Sequence, residues 1–402
     1  MANQMSRGEF VALIAMMVAT IAFSIDSMLP ALPTIGAQLS PGDANKAQLI
    51  LTSFVLGLGI GTFFTGPLSD AYGRKPVIYV GSAVYILAAA VAWASSSIEL
   101  LLVARVVQGI GCAAPRIVAI AIIRDLYSGR EMARIVSIAM MIFTLVPAIA
   151  PMLGAGVIAI TGWRGVFATF IVFSAITVIW MGLRLPEPLK PENRRPLRLP
   201  LMAAAAREMF SHPTVRVSIL VQTLCLGMLF TMLTMVQPVY DVIFDSADSF
   251  PFWFGFVALM AGSASLLNAA LVIRVGMRRL VTCALGAQIV ITLGVVIFSM
   301  MPLSPNLSFA MFVFWQTSIF FMAGMTLGNL NAISMEPMGH IAGMAASVIG
   351  AFSTILAAAV AAPIGQLFDG TLTPMSTAVL IMSVIGFGLM LHMGRIENRL
   401  PA

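Results

Sequence analysis

The sequence predicts an all-α membrane protein of twelve transmembrane helices in two pseudo-symmetric six-helix bundles, and three observations carry that prediction. Of the 402 residues, 60% are hydrophobic and only 9% charged, with mean hydropathy +1.00, whereas a soluble domain is about a quarter charged. Apolar runs long enough to span a bilayer recur twelve times along the chain, each near the roughly 20 residues a helix needs to cross. The longest hydrophilic segment, 185–212, falls close to the midpoint and divides six runs from six.

The runs lie at about 9–32, 46–67, 77–96, 99–122, 135–160, 164–184, 215–241, 251–273, 280–300, 308–331, 341–366 and 373–394. These boundaries give an N-terminal bundle over 1–184, a Pro- and Arg-rich cytoplasmic linker over 185–212 ending in an alanine-rich helical patch, and a C-terminal bundle over 213–402. With the N-terminus placed in the cytoplasm, 18 of the 22 Lys and Arg fall in inner segments, among them Arg195, Arg198 and Arg399. Only Lys46 and Arg164 fall outside, and Arg105 and Arg116 fall within a span. That asymmetry puts both termini in the cytoplasm. The net charge of +6 then reports topology and contact with anionic lipid, with nothing pointing to nucleic acid.

Span 1 contains Asp26 at the end of a stretch, Phe10 to Ser24, that holds no charge. An ionisable side chain in such a segment is costly enough to mark a functional site. The competing reading is a structural acid satisfied by a neighbouring helix or lying at headgroup level, because Pro30 and Pro33 end the span about two turns on. Cys112, Cys225 and Cys283 all fall within spans and are expected as buried free thiols. His212, His340 and His392 stand apart at helix ends, so no metal site is expected.

The halves echo one another. Gly73-Arg74-Lys75 follows span 2, Gly276-Met277-Arg278-Arg279 follows span 8, and the two glycines stand 203 residues apart. Asp26 through Pro30 is loosely repeated by Thr234 through Pro238, with threonine in place of the acid, so proton chemistry is expected in the N-terminal half. Two such bundles rocking around a midplane cavity is the plan of many secondary transporters. No Gly-rich phosphate loop followed by Lys and Ser or Thr is present to drive transport by ATP.

Span 4 carries Arg105, Gln108, Cys112 and Arg116. Eleven residues at 100° each come within about 20° of three full turns, so the two arginines share a face, with Gln108 and Cys112 near it. Neither guanidinium should face lipid, and a watery cavity is expected to receive both. Arg105 lies at a depth similar to Asp26 and should pair with it, unless it is purely a structural bridge between spans 1 and 4. Span 5 places Pro147 and Pro151 four apart with Gly154 and Gly156 nearby, a pattern that bends a helix and permits close approach.

The loop Gly66-Pro-Leu-Ser-Asp70-Ala-Tyr-Gly73-Arg74-Lys75 is, on its own terms, a glycine turn with one acid and two basic anchors. It resembles the signature loop of the major facilitator superfamily, departing at Ala71 where a basic residue is usual. The resemblance implies gating roles for Gly66, Asp70, Gly73, Arg74 and Lys75. Arg105-x-x-Gln108-Gly109 is similar to the arginine motif of the proton-coupled exporters in that superfamily. Pro147 to Gly156 looks like the antiporter motif, with Ala150 and Ala155 replacing two glycines. Ile122 to Leu126 with Asp125, Gly162-Trp163-Arg164, Glu336 to Gly339 and Asp26-x-x-Leu29-Pro30 extend the likeness to the bicyclomycin and chloramphenicol resistance (Bcr/CflA) branch of drug:proton antiporters. Met28 stands where that branch commonly has tyrosine.

These readings imply proton-coupled export of small hydrophobic drugs, neutral or zwitterionic and phenicol-like, across a bacterial inner membrane by alternating access. Asp26 and Arg105 would couple the proton, and Met28, Gln108, Cys112, Arg116, Gln237 and Tyr240 would line the substrate cavity. The energy would come from the proton gradient with no cofactor, and the partners would be drug, protons and lipid, with no obligate protein partner. The alternative is a dedicated proton-coupled transporter of a single metabolite. A scaffold would need a sizeable loop or tail, and an intramembrane enzyme would need a Ser/His, paired-Asp or metal set in the spans. Neither feature is present.

Overall fold

A computed structural model describes residues 5–194, 196–197 and 199–397. Arg195, Arg198 and Arg399, counted above among the inner charges, lie outside the described residues. Among the described residues twelve helices are long and apolar enough to cross a membrane. The chain forms two compact units, Met1–Leu199 and Pro200–Ala402.

Unit one begins with α1 (Arg7–Asp26), followed by a short 3-10 turn and the brief α2 (Leu32–Leu39). Then come α3 (Leu49–Tyr72), α4 (Arg74–Ala94), α5 (Ile98–Leu126), α6 (Gly129–Thr161) and α7 (Trp163–Arg184). α5 packs against both α3 and α4, and α1 packs against α6, α5 and α7. Small residues make the crossings close: a Cβ on Gly57 or Gly109 would overlap the backbone of the facing helix where α3 meets α5, and Gly81 and Gly111 do the same between α4 and α5. Backbones that approach this closely gain van der Waals contact, which lipid tails cannot replace. The entry of α1 is fixed by its own cap, Ser6 Oγ accepting from Glu9 N at 3.2 Å. The Glu9 carboxylate accepts from Arg184 at 2.6 and 2.8 Å and from Trp180 at 3.1 Å, tying the start of α1 to the end of α7.

Unit two comprises α8 (Leu199–Ser211), α9 (Pro213–Pro238), α10 (Phe250–Val275), α11 (Met277–Ser299), α12 (Pro305–Met335), α13 (Ala342–Gln366) and α14 (Thr373–Glu397). α9 packs against α12, α13 and α14, and α11 against α12 and α14. Its end is drawn into one π turn, Val239–Ile243, directly after Pro238. α8 is docked as well: Met209 is buried, the Phe210 ring meets Phe352 edge-on at 4.9 Å, and Glu208 accepts from His340 at 2.8 Å.

Large apolar side chains also stand outward on the long helices, for example Ile160 at 86% and Ile273 at 89% exposure. Water would not tolerate so continuous an apolar exterior, and lipid does. Among the described residues Pro67, Pro115, Pro147, Pro151, Pro238 and Pro363 lie inside helices, so Pro67 does not end span 2, which runs to Tyr72. Cys112 and Cys225 are buried free thiols as expected; Cys283 is exposed, because it falls on an outward face of α11 while Val281 and Leu285 turn inward.

Candidate functional site

The site of unit one grows from the place where α1 stops. Pro30 has no N–H to give to the Asp26 carbonyl four residues back, so the α-helical ladder cannot continue. Met28 N bonds to Ile25 O instead, at 3.3 Å, and Ser27 N returns to Phe23 O. This tightening leaves the Ser24 carbonyl without its α-helical donor. Asp26 sits at the last helical position, 5% exposed. Among the described residues its carboxylate has no ion-pair or hydrogen-bond partner, while Met28 beside it is buried.

Arg105 supplies the missing donor. Its side chain is fully buried on α5; Nη2 donates to Ser24 O at 3.1 Å, Nε to Ile50 O at 3.3 Å and Nη1 to Gln108 Oε1 at 2.7 Å. The guanidinium also lies 4.3 Å over the Phe54 ring. The expected Asp26–Arg105 ion pair is therefore not formed: the guanidinium is committed to the exposed carbonyls of a broken helix, where a cation also meets the negative end of the helix dipole. Ser24 is held from a third side by Tyr85 of α4, with hydroxyl oxygens 2.6 Å apart. Sequence reasoning missed Tyr85, although a tyrosine in the middle of an apolar span must place its hydroxyl somewhere.

Arg116 differs from its predicted twin. It shares the helix with Arg105, yet its side chain is exposed and has no hydrogen-bond or ion-pair partner among the described residues. Cys112, one turn before it, is buried.

α6 closes the other side of the break. A Cβ on Gly154 would overlap the Ser27 carbonyl, so this helix touches the backbone directly after Asp26. Gly154, on the same helix as Pro147 and Pro151, thus bears on the turn directly after Asp26, a convergence that spacing alone did not reveal.

The loop joining α3 to α4 is held by a separate cluster at the far end of α5. Gly73 adopts φ 104°, a conformation that favours glycine, and starts α4. Arg74 Nη1 donates to Asp70 at 2.6 Å and to Ser69 Oγ at 2.7 Å, and its Nε donates to Asp125 at 2.7 Å. Glu187, which sequence reasoning passed over, accepts from the backbone N–H groups of Arg74 and Lys75 at 2.9 Å each. Lys75 Nζ in turn donates to the carbonyls of Gly182 and Leu185 at 3.1 and 2.7 Å. An acid directly after span 6, in an otherwise basic stretch, was the available signal. Gly66 lies on α3 one turn before Asp70.

In unit two, Tyr240 is buried within a ring of Phe250, Phe309 and Phe312 and donates to Gln316 Oε1 at 3.0 Å. Gln237, one turn before it, has a buried Oε1 without a hydrogen-bond partner, as does Nε2 of Gln316. These amides hold unused hydrogen-bonding capacity in an aromatic setting. No group of three or more His, Cys, Asp or Glu able to hold a metal occurs among the described residues.

Comparison with known proteins agrees with this construction. The model of the Major Facilitator Superfamily matches residues 12–362. The chain belongs to that superfamily. This facilitator is accordingly a multi-pass membrane transporter and not an enzyme. It is 28% identical over 374 residues to the bicyclomycin resistance protein homolog of Haemophilus influenzae, covering 91% of this chain and 92% of that relative. It is 37% identical over 145 residues to a chloramphenicol resistance protein of Pseudomonas aeruginosa, covering 36% and 34%. Both relatives carry names of the branch that the motifs resemble. Among solved structures the D-xylose-proton symporter superposes with a TM-score of 0.74 at 14% identity, over 95% of this chain and 97% of that one, a likeness of fold.

Proposed function

We propose that this facilitator exports small, hydrophobic, neutral or zwitterionic drugs, phenicol-like antibiotics among them, in exchange for protons, by alternating access. The observation that carries the reading is Asp26: a carboxyl group in the first apolar helix, 5% exposed and without a counter-ion among the described residues. Such a group satisfies its charge by exchanging a proton or by meeting a polar ligand, and either links binding to proton release. Arg105 acts here by fixing the helix break that presents Asp26, and the relatives named for antibiotic resistance support export of drugs.

The proposed substrate-facing residues are Met28, Gln108, Cys112 and Arg116 for unit one and, separately, Gln237 and Tyr240 for unit two, where the unpartnered amide oxygen of Gln237 is suited to a neutral ligand's donor. The cluster from Gly66 to Lys75, with Asp125, and the α6 segment of Pro147, Pro151 and Gly154, whose glycine meets the turn after Asp26, are the proposed gating elements. The chain would lie in a bacterial inner membrane with both termini cytoplasmic, driven by the proton gradient alone. Everted membrane vesicles test this: an inside-acid gradient should drive uptake of radiolabelled chloramphenicol and leave ethidium behind. Uptake of ethidium alone, or uptake of neither, would overturn the substrate class.

A further inference from the structure

Arg116 stands where α5 is otherwise enclosed: from Gly111 to Ile123 it is the only exposed residue. Earlier on the same helix Leu100, Val103, Val107 and Ile110 are exposed and form one apolar stripe, a face suited to lipid. At 100° per residue, Arg116 lies nine residues and about 180° from Val107. Its guanidinium therefore leaves the helix opposite that stripe, on the face where Arg105 is buried. The stripe itself does not continue, because Ala114, the next position in phase, is buried where a Cβ on Gly81 of α4 would strike it. Ala113 meets α3 at Gly61, and Ala119 and Ile122 belong to one packed cluster with Leu13 and Met17 of α1. Arg116 thus opens between α3 on one side and α1 on the other.

A guanidinium at this depth, about 15 Å along the axis from the end of α5 at Leu126, needs water or an anion before it. The protein supplies no acid for it. At this end of unit one Glu9 is held by Arg184, Asp70 and Asp125 by Arg74, Glu131 by Arg7, and Glu187 by the N–H groups that start α4. Arg124, Arg130 and Arg134, at the adjoining ends of α5 and α6, are exposed and have no ion-pair partner among the described residues. Charges of one sign along an approach raise the local concentration of the opposite sign, and here they lead from the end of unit one taken above as cytoplasmic toward Arg116.

We propose, resting on the drug-export reading above, that Arg116 is the specificity-determining residue for charge: it receives the carboxylate of a zwitterionic substrate and favours it over the same molecule without that charge. The planar guanidinium can hold a carboxylate by two parallel hydrogen bonds. A lipid headgroup does not fill this role, because the side chain points away from the apolar stripe of its own helix.

The probes are norfloxacin, a zwitterion, and its methyl ester, which lacks the carboxylate charge. Binding is measured by isothermal titration on the purified full-length protein in neutral detergent at fixed ionic strength. Wild type should bind the acid at least about tenfold more tightly than the ester, and Arg116→Gln should lose that preference while holding the ester as before. The unfolding midpoint of Arg116→Gln should stay at the wild-type value, whereas a structural role would lower it. Equal affinity of wild type for acid and ester, binding of neither, or a preference that survives Arg116→Gln overturns the proposal. Should Arg116→Gln fail to fold, Arg116→Lys must weaken the preference, because an ammonium lacks the fork that grips both oxygens, and an unchanged preference overturns the proposal too. Uptake into everted vesicles separates the two readings. Absence of gradient-driven uptake with the binding difference intact refutes export alone, and uptake with equal binding of acid and ester refutes the role of Arg116 alone.

Discussion

Arg105 Nη2 donates to the carbonyl of Ser24 at 3.1 Å, two residues before the carboxyl group of Asp26. The buried cation therefore secures the backbone that carries the acid and leaves the acid without a partner. A direct ion pair would have had to be broken for every proton exchanged, at a cost set by the desolvation of both charges.

Arg105→Lys should accordingly behave as a severe change. Lysine keeps the charge but cannot reach Ser24 O, Ile50 O and Gln108 Oε1 together. Each buried acceptor left unsatisfied costs about 1–3 kcal/mol. The thermal midpoint in detergent should fall by several degrees with transport lost; a stable, active Arg105→Lys protein would show that the cap is dispensable.

Gly154 and Gly156 give a paired test on one helix. A methyl group at 154 would meet the Ser27 carbonyl, whereas nothing lies within 4 Å of one at 156. Gly154→Ala should separate α6 from the α1 break, costing about 1–3 kcal/mol with loss of transport, and Gly156→Ala should stay within about 0.5 kcal/mol of wild type. Drug-resistance growth assays beside unfolding curves separate the two.

Glu187 ties the segment after α7 to the first turn of α4. Glu187→Ala removes that cap, worth about 1 kcal/mol. Trypsin cleavage after Arg194, which is exposed, should accelerate about fivefold as the segment opens more often. Unchanged cleavage would mean that other contacts hold the segment.

Tyr85→Phe removes the hydroxyl that meets Ser24 Oγ and leaves the ring among its neighbours. The expected loss is about 1 kcal/mol with transport retained, read by the same unfolding assay.

Much of this molecule could be read before any coordinates. Twelve spans follow from the thickness of a bilayer, and the Gly73-Arg74-Lys75 loop identifies itself because its residues are adjacent in sequence. What could not be read is which partner a buried charge chooses. Depth matching set Arg105 opposite Asp26, but the shift of Met28 N to Ile25 O left a stronger claimant, the Ser24 carbonyl, which only the geometry of the break reveals. Arg105 and Arg116 share a helical phase but differ in burial, because phase gives direction while burial depends on what neighbouring helices cover. The contact of Gly154 with Ser27 joins residues far apart in sequence, and no periodicity encodes it.

Substrate-induced proton release from the purified transporter, wild type against Asp26→Asn, tests the central claim most directly. A weakly buffered detergent solution with a pH-sensitive dye should acidify on addition of chloramphenicol to the wild type and stay flat with the variant, while both still bind the drug. Equal release from the two proteins would contradict the account and remove Asp26 from proton coupling.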